Sequence, residues 1–223
     1  MNDAPRLWQT LVRTGFRLLY NEAAFTYDLV SWVVSLGAWR CWTRVALRFL
    51  PPNTTGPVLE LAHGPGHLQS DLATAGYRVY GLDLSPSMGR IARRRLLGRG
   101  LPAHLVRARA QTLPFADGQL AAVISTFPTD FIVDPRTLAE CSRVLTSDGR
   151  LVIVPSAVLT GTGLIARGIE FLYRITGQRG GGALSADELQ PIFGPYGFEV
   201  DVFDEECPHS RVTVIVGRKR AAN

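Results

Sequence analysis

The chain has 223 residues, 46% hydrophobic and 19% charged. That fits one globular domain with an appendage and excludes a disordered or fibrous chain. The formal charge is +5 and the pI about 9.5, with Lys219 the only lysine. This arginine-borne excess reads first as composition bias and second as attraction to anionic lipid or nucleic acid.

Cys41, Cys141 and Cys207 are scattered and odd in number, with no CxxC or Cys/His cluster for zinc. The simplest expectation is reduced thiols in a cytoplasmic protein without metal. The start, Met1 to Thr10, is polar and holds Pro5, so no signal peptide is expected. The most apolar run, Leu29 to Trp39, lies between Asp28 and Arg40. It is far short of the roughly 20 residues of a spanning helix.

Residues 5–50 carry helical spacing, with Leu7, Leu11, Leu18 and Leu19 in one stripe and a break at Gly37. Trp8, Phe16, Tyr20, Phe25, Tyr27, Trp32, Trp39 and Trp42 crowd this region. They read as packing against a main domain, or as an amphipathic segment lying on a membrane surface. Residues 51–57, with three prolines and a glycine, form a linker.

After it strands and helices alternate. Val58–Leu61 reads as a strand, and a helix from about Gly66 to Ala75 follows. Tyr77–Leu82 is a second strand. Ser85 then caps a helix with Pro86 at its first position, running to Leu97. Its arginines 90, 93, 94, 95 and 99 read as a solvated face, since no aromatics interleave to stack bases. His104–Val106 and Ala121–Ser125 are further strands. Asp134 and Pro135 open a helix to Leu145, and Arg150–Val154 is the fifth strand. A helix is expected near Leu159–Ile175, then a flexible loop at 177–182. Ser185 and Glu188 form a capping box, and Phe198–Asp204 and Arg211–Gly217 close as an antiparallel pair. Alternating βα units predict a doubly wound, mostly parallel sheet whose ligand sits at the carboxyl ends of the strands.

Two acids mark those ends. Glu60 closes the first strand before a turn holding Gly64 and Gly66, and Asp83 follows the second. Glycine lets a backbone approach a ligand closely. An acid at the second strand end accepts from a pair of ribose hydroxyls. A dinucleotide site wants a third glycine, and Gln69 stands there instead. A cofactor without pyrophosphate does not need it; it needs Glu60 near a positive group such as an α-amine.

Here the chain resembles the class I S-adenosylmethionine-dependent methyltransferases, from about Tyr27 to the C-terminus. Glu60, Ala62, Gly64 and Gly66 resemble the family's acid-x-Gly-x-Gly-x-Gly motif. Asp83, Ser85 and Met88 resemble its D-x-S-x-x-M. Ala110 to Gly118 resembles D-A-E-x-L-P-F-x-D-G, and Glu140 to Leu151 resembles E-x-x-R-V-L-K-P-G-G-x-L. The quinone-biosynthesis C-methyltransferases are the most similar subgroup, and Tyr27–Asp28 and Ser35–Arg40 resemble the helices that cover the cofactor there.

The resemblance implies a Rossmann-like doubly wound seven-stranded α/β sheet, mostly parallel with an antiparallel C-terminal strand. Residues 1–52 would be a helical cap and 53–223 the cofactor domain. The cofactor would be S-adenosyl-L-methionine, held by Tyr27, Glu60, Ala62, His63, Gly64, Gly66, Asp83, Leu84, Met88, Ala110, Gln111 and Thr126. The acceptor would be a small, apolar, quinone-, lipid- or metabolite-like molecule. Peripheral membrane contact would run through the N-terminal helices. Nucleic-acid base methylation is not expected, since the segment after the fourth strand is not Asn-Pro-Pro-Tyr.

The candidate bases are Asp130, Tyr27 and His63. Asp130 also reads as a loop or cap residue, and His63 and His67 as neutral hydrogen-bonding groups. Ala62 replaces a glycine, Arg109 an adenine-contacting acid, and Ala121 an acid before the fourth strand. These departures keep open a non-catalytic relative with weakened cofactor binding. A nicotinamide-dependent oxidoreductase is a third reading, and the missing glycine speaks against it. Oligomeric state has no signature.

Overall fold

The computed structural model describes Trp32 and residues 35–53, 55–160 and 185–220. Among these, β1 (Val58–Leu61), β2 (Val79–Leu82), β3 (Leu105–Val106), β4 (Leu120–Thr126), β5 (Leu145–Leu159), β6 (Phe198–Cys207) and β7 (Ser210–Lys219) form one sheet in the order β3-β2-β1-β4-β5-β7-β6. Strands β1 to β5 are parallel, and β7 is antiparallel to both neighbours. The expected doubly wound, mostly parallel sheet is the one found.

The central strands β1, β4 and β5 feed two cores, because alternate side chains point to opposite faces. Val58, Ala122, Ile124, Val152 and Val154 join one core, and Leu59, Leu61, Val123, Leu151 and Ile153 the other. Strands buried on both faces read as unbroken apolar runs, which is why β1 and β4 were legible. Helix α2 (His67–Thr74) sends Leu68 and Leu72 into the first core; α4 (Pro135–Val144) sends Leu138, Cys141 and Val144 into the second. Ser85 caps α3 (Pro86–Leu97), and Ser185 and Glu188 form the expected capping box on α5 (Ala186–Phe193).

The chain places β2 and β3 on one side of β1, then returns to lay β4 on the other. That reversal opens a crevice at the carboxyl ends of β1 and β4.

Several expectations shift. Strand β5 already begins at Leu145, and Ser147–Gly149 is an irregularity within it, with Asp148 at φ +69°. It also continues to Leu159, opposite Ser210, so no helix begins there. The rest of that helix and the 177–182 loop lie outside the described residues. Strand pair β6–β7 is longer than expected and turns at Pro208 and His209. Strand β4 starts one residue earlier than expected, at Leu120, and runs to Thr126, with Ala121 1% exposed.

In the N-terminal region the helical pattern is realised as α1 (Trp39–Arg44) and a 3₁₀ turn, Val45–Phe49, after a break where Leu36 and Gly37 have positive φ. Tyr27 and the earlier helical stripe lie outside the described residues.

The cysteine expectation is overturned. Cys41 on α1 and Cys207 at the end of β6 form a disulfide, 166 residues apart in sequence. The two meet because α1 and the 3₁₀ turn pack on the β6–β7 hairpin. Trp42 Nε1 donates to Ser210 Oγ at 2.7 Å, Phe49 lies 4.9 Å from Phe203 ring to ring, and Arg48 pairs with Glu205. Cys141 alone remains a thiol. It is buried, and burial pushes its pKa up to about 12.

Candidate functional site

Past β1 the backbone must turn sharply into α2. Ala62, Gly64 and Gly66 take φ of +54°, +52° and +79°. At Gly66 a Cβ would sit 2.7 Å from Ala92 Cβ, so glycine lets α2 start against α3. At Gly64 a Cβ would meet nothing within 4 Å; its outer side faces open space. Ala62 holds the left-handed conformation with a methyl group, at about 1 kcal/mol.

Asp83 ties this turn to the end of β2. Its Oδ2 accepts from the Gly64 N–H at 2.9 Å and its Oδ1 from the Ser85 N–H at 2.8 Å. The carboxylate is therefore fixed in orientation, and each oxygen retains acceptor capacity. Ser125 Oγ donates to the Leu61 carbonyl at 3.2 Å, joining β4 to β1 at the switch point.

Glu60 sits 2% exposed beneath the turn. Its Oε2 accepts from Gln69 Nε2 at 2.7 Å, and the same amide nitrogen donates to the Tyr80 carbonyl at 3.2 Å. Burial pushes the Glu60 pKa up to about 8; Gln69 opposes this, and the charges of Asp83 and Asp71 add to it. Gln69, read in sequence as a missing glycine, is thus the residue that orients Glu60. Only the fold could show this, since a glutamine on a helix has no signature of its own.

His63 is 4% exposed and its Nδ1–H donates to the Gly64 carbonyl at 2.7 Å. Burial lowers its pKa, which keeps the ring neutral. The ring thus makes a hydrogen bond and also lines a cleft.

A narrow cleft is lined by Trp39, Thr43, Glu60, Ala62, His63, Gly64, Pro65, His67, Leu68 and Thr126. Its free volume is about 30 Å³, so Trp39 and Thr43 of α1 lie close over the glycine turn. Trp39 falls in the segment that resembles the cofactor-covering helices, whereas Thr43 was not among the expected residues; the place of both comes from α1 packing on the hairpin.

The remaining candidates do not line this cleft. Leu84 is 54% exposed, whereas Met88 and Ala110 are buried. Gln111 Nε2 donates to Asp134 Oδ2 at 3.1 Å, which fixes its amide. Arg109 is exposed. Asp130 is exposed, opens a 3₁₀ turn (Asp130–Val133) and does not line the cleft. Arg143 bonds Glu140, Asp117 and the carbonyls of Leu113 and Phe115, so the Glu140–Arg143 motif pins the 113–117 loop. No cluster able to hold a metal occurs among the described residues.

Residues 58–149 match the model of the methyltransferase domain family. Over that span, and in its fold, the chain is similar to the class I S-adenosylmethionine-dependent methyltransferases. It is 37% identical over 139 residues to the demethylmenaquinone methyltransferase of Thermus thermophilus, covering 61% of this chain and 63% of that one. It is 33% identical over 147 residues to the ubiquinone/menaquinone biosynthesis C-methyltransferase UbiE of Citrifermentans bemidjiense, covering 62% and 61%. The chain thus spans about three fifths of the length of these relatives. In fold it is similar to a methyltransferase structure from Methanococcus maripaludis, with a TM-score of 0.64 and 16% identity over 92% of this chain and 95% of that one. This fold places the glycine turn, Glu60 and Asp83 together at the carboxyl ends of β1 and β2.

Proposed function

We propose that this methyltransferase transfers a methyl group from S-adenosylmethionine to a small, apolar, quinone-like acceptor. One observation carries the reading: Glu60 and Asp83, at the ends of adjacent parallel strands, flank a glycine turn at the switch point. The names of the relatives supply the acceptor class.

The residues fit the cofactor. A buried carboxyl raised to about 8, with the acids Asp83 and Asp71 nearby, suits a cationic ligand group. Glu60, oriented by Gln69, would hold the α-amine. Asp83 would accept from the ribose hydroxyls. Gly64, Ala62 and Thr126 would border the methionine part. Leu84 and Gln111 would border the adenine, over the buried Met88 and Ala110. When bound, the cofactor supplies an activated methyl group, so positioning by the protein dominates the chemistry. Trp39 and Thr43, which line the same cleft, would close over it. A general base is required only where the acceptor must lose a proton. In this reading residues 1–52 are the cap and 53–223 the cofactor domain.

No described helix is long and apolar enough to cross a membrane. Interfacial contact through residues 1–25 belongs to the proposal; vesicle sedimentation with and without those residues tests it, and equal pelleting refutes it.

The deciding test is thermal melting with S-adenosylmethionine, S-adenosylhomocysteine and NADH in parallel. A ligand at 100 times its dissociation constant stabilises by about 2.7 kcal/mol. That raises the melting point by roughly 5–10 °C for a domain of this size. We expect the shift with the first two alone. A shift with NADH alone, or with none, refutes the reading.

A further inference from the structure

We infer that Trp39, seated on Phe127, is the specificity-determining wall of the acceptor site, and that the acceptor it fits is a flat aromatic ring. This rests on the methyl-transfer reading above.

Trp39 lines the same cleft as Glu60, Ala62 and Thr126. Its ring stacks on Phe127 with centroids 4.5 Å apart and planes 26° from parallel, in the offset-stacked range. Phe127 directly follows Thr126 at the carboxyl end of β4. Its N–H donates to the Val154 carbonyl at 2.7 Å, and its φ is +50°. That conformation is a genuine outlier for a bulky residue. Here it turns the chain out of the sheet beside the cleft.

Trp42, 1% exposed, tilts against both rings at 6.0 and 5.8 Å and is anchored through Nε1 on Ser210. The stack is thus backed by the core, while Trp39 and Phe127 stay only half-buried at its edge. Core packing alone would account for Trp42. Trp39 packs against the same core, but it also lines the cleft, whose other walls mix polar residues with Ala62, Gly64, Pro65 and Leu68.

An indole face at this place does two things. It attracts positive charge, here that of a sulfonium. It also offers a flat acceptor a stacking surface, which fixes the angle at which the nucleophile meets the methyl group. In-line displacement depends on that angle. A flexible aliphatic acceptor gains no such alignment.

The test uses the full chain with two acceptor probes, a dihydroxynaphthalene and octanethiol. It compares wild type with Trp39→Phe, Trp39→Ala and Phe127→Leu. The readouts are formation of S-adenosylhomocysteine, and binding of that product and of the naphthalene by calorimetry. Cooperative melting of each variant serves as the folding check. We expect wild type to prefer the naphthalene. Trp39→Ala should raise its KM and dissociation constant about tenfold, the loss of a ring stack and its contact area. Trp39→Phe should restore most of it, and Phe127→Leu should give a smaller loss. Affinity for S-adenosylhomocysteine should stay within about threefold, below 1 kcal/mol.

Equal use of octanethiol overturns the flat-acceptor inference. So does unchanged naphthalene binding in Trp39→Ala, or an equal loss of both ligands, which would make Trp39 a cofactor lid. Should Trp39→Ala fail to melt cooperatively, Trp39→Phe and Phe127→Leu decide: naphthalene affinity unchanged in Phe127→Leu refutes the stacked wall. If the naphthalene fails to bind wild type while S-adenosylhomocysteine binds, only this inference falls. If neither binds, the methyl-transfer reading falls with it.

Discussion

The two sides of the cleft are built in different ways. One side is the β1–α2–β2–α3 unit, where glycine turn, Asp83 and Ser85 cap lie within one strand–helix–strand unit. The other is α1, held over that turn by the β6–β7 hairpin from the far end of the chain. The first is encoded by spacing along the sequence. The second exists only when distant segments pack, so a single bond can hold or release it.

The largest expected effect is therefore on the α1 side. Cys41–Cys207 closes a loop of 166 residues. Chain-entropy reasoning assigns such a bridge about 5 kcal/mol, the upper end of measured values. At roughly 2–4 °C per kcal/mol, reduction with dithiothreitol should lower the melting point by roughly 10 °C or more. Cys41→Ser should reproduce the drop. Trp39 and Thr43 flank Cys41 and line the cleft, so reduction should also weaken S-adenosylhomocysteine binding. A melting point unmoved by reduction would mean that packing of Trp42, Phe49 and Arg48 holds α1 without the bridge.

On the glycine-turn side the expected effects are smaller and separable. In Gly66→Ala the new methyl carbon meets Ala92 Cβ at 2.7 Å, and φ is +79°. Overpacking and strain together should cost about 3 kcal/mol in urea denaturation. Gly64→Ala meets nothing within 4 Å and carries only the strain, about 1 kcal/mol. It places its methyl group in the open space beside Asp83, so it should reduce cofactor affinity more than stability. If the two variants lose equal stability, the close contact of α2 with α3 is not what Gly66 provides.

This contrast explains what the sequence could reveal. Strands β1 and β4, the Ser85 and Ser185 caps, Asp83 and the Gly64–Gly66 turn are local patterns of two to twelve residues, and each was readable. Cys41 with Cys207, Trp39 with Phe127 and Gln69 with Glu60 are contacts through space between residues with no shared spacing. Odd, scattered cysteines then imitated free thiols. Gln69 was noticed only as an absent glycine. Leu145–Leu159 was split because Ser147–Gly149 has turn composition, although the sheet carries the strand across it.

Glu60 and Cys141 sharpen the comparison from another direction. Both are buried titratable groups with raised pKa values. Cys141 is enclosed in the second core, away from the cleft, and is expected to stay inert at any pH compatible with folding. Glu60 borders the cleft, so its protonation is open to ligand control. Its folded pKa of about 8 exceeds the ordinary 4.5. The native state therefore binds a proton that the unfolded chain has lost. The stabilisation is complete below about 4.5 and fades as pH rises to about 8.

The slope from this one group should approach 1.4 kcal/mol per pH unit, and Glu60→Gln should abolish it. A cationic amine placed against Glu60 favours the carboxylate, so cofactor binding near neutral pH should release a proton. Calorimetry in buffers of different ionisation enthalpy would count it. Wild type should release up to one proton and Glu60→Gln none. Equal release by both would place the titrating group elsewhere, with His63 the group to test next. No release by either would mean that the cofactor's amine does not reach Glu60, and that this acid serves the turn rather than the ligand.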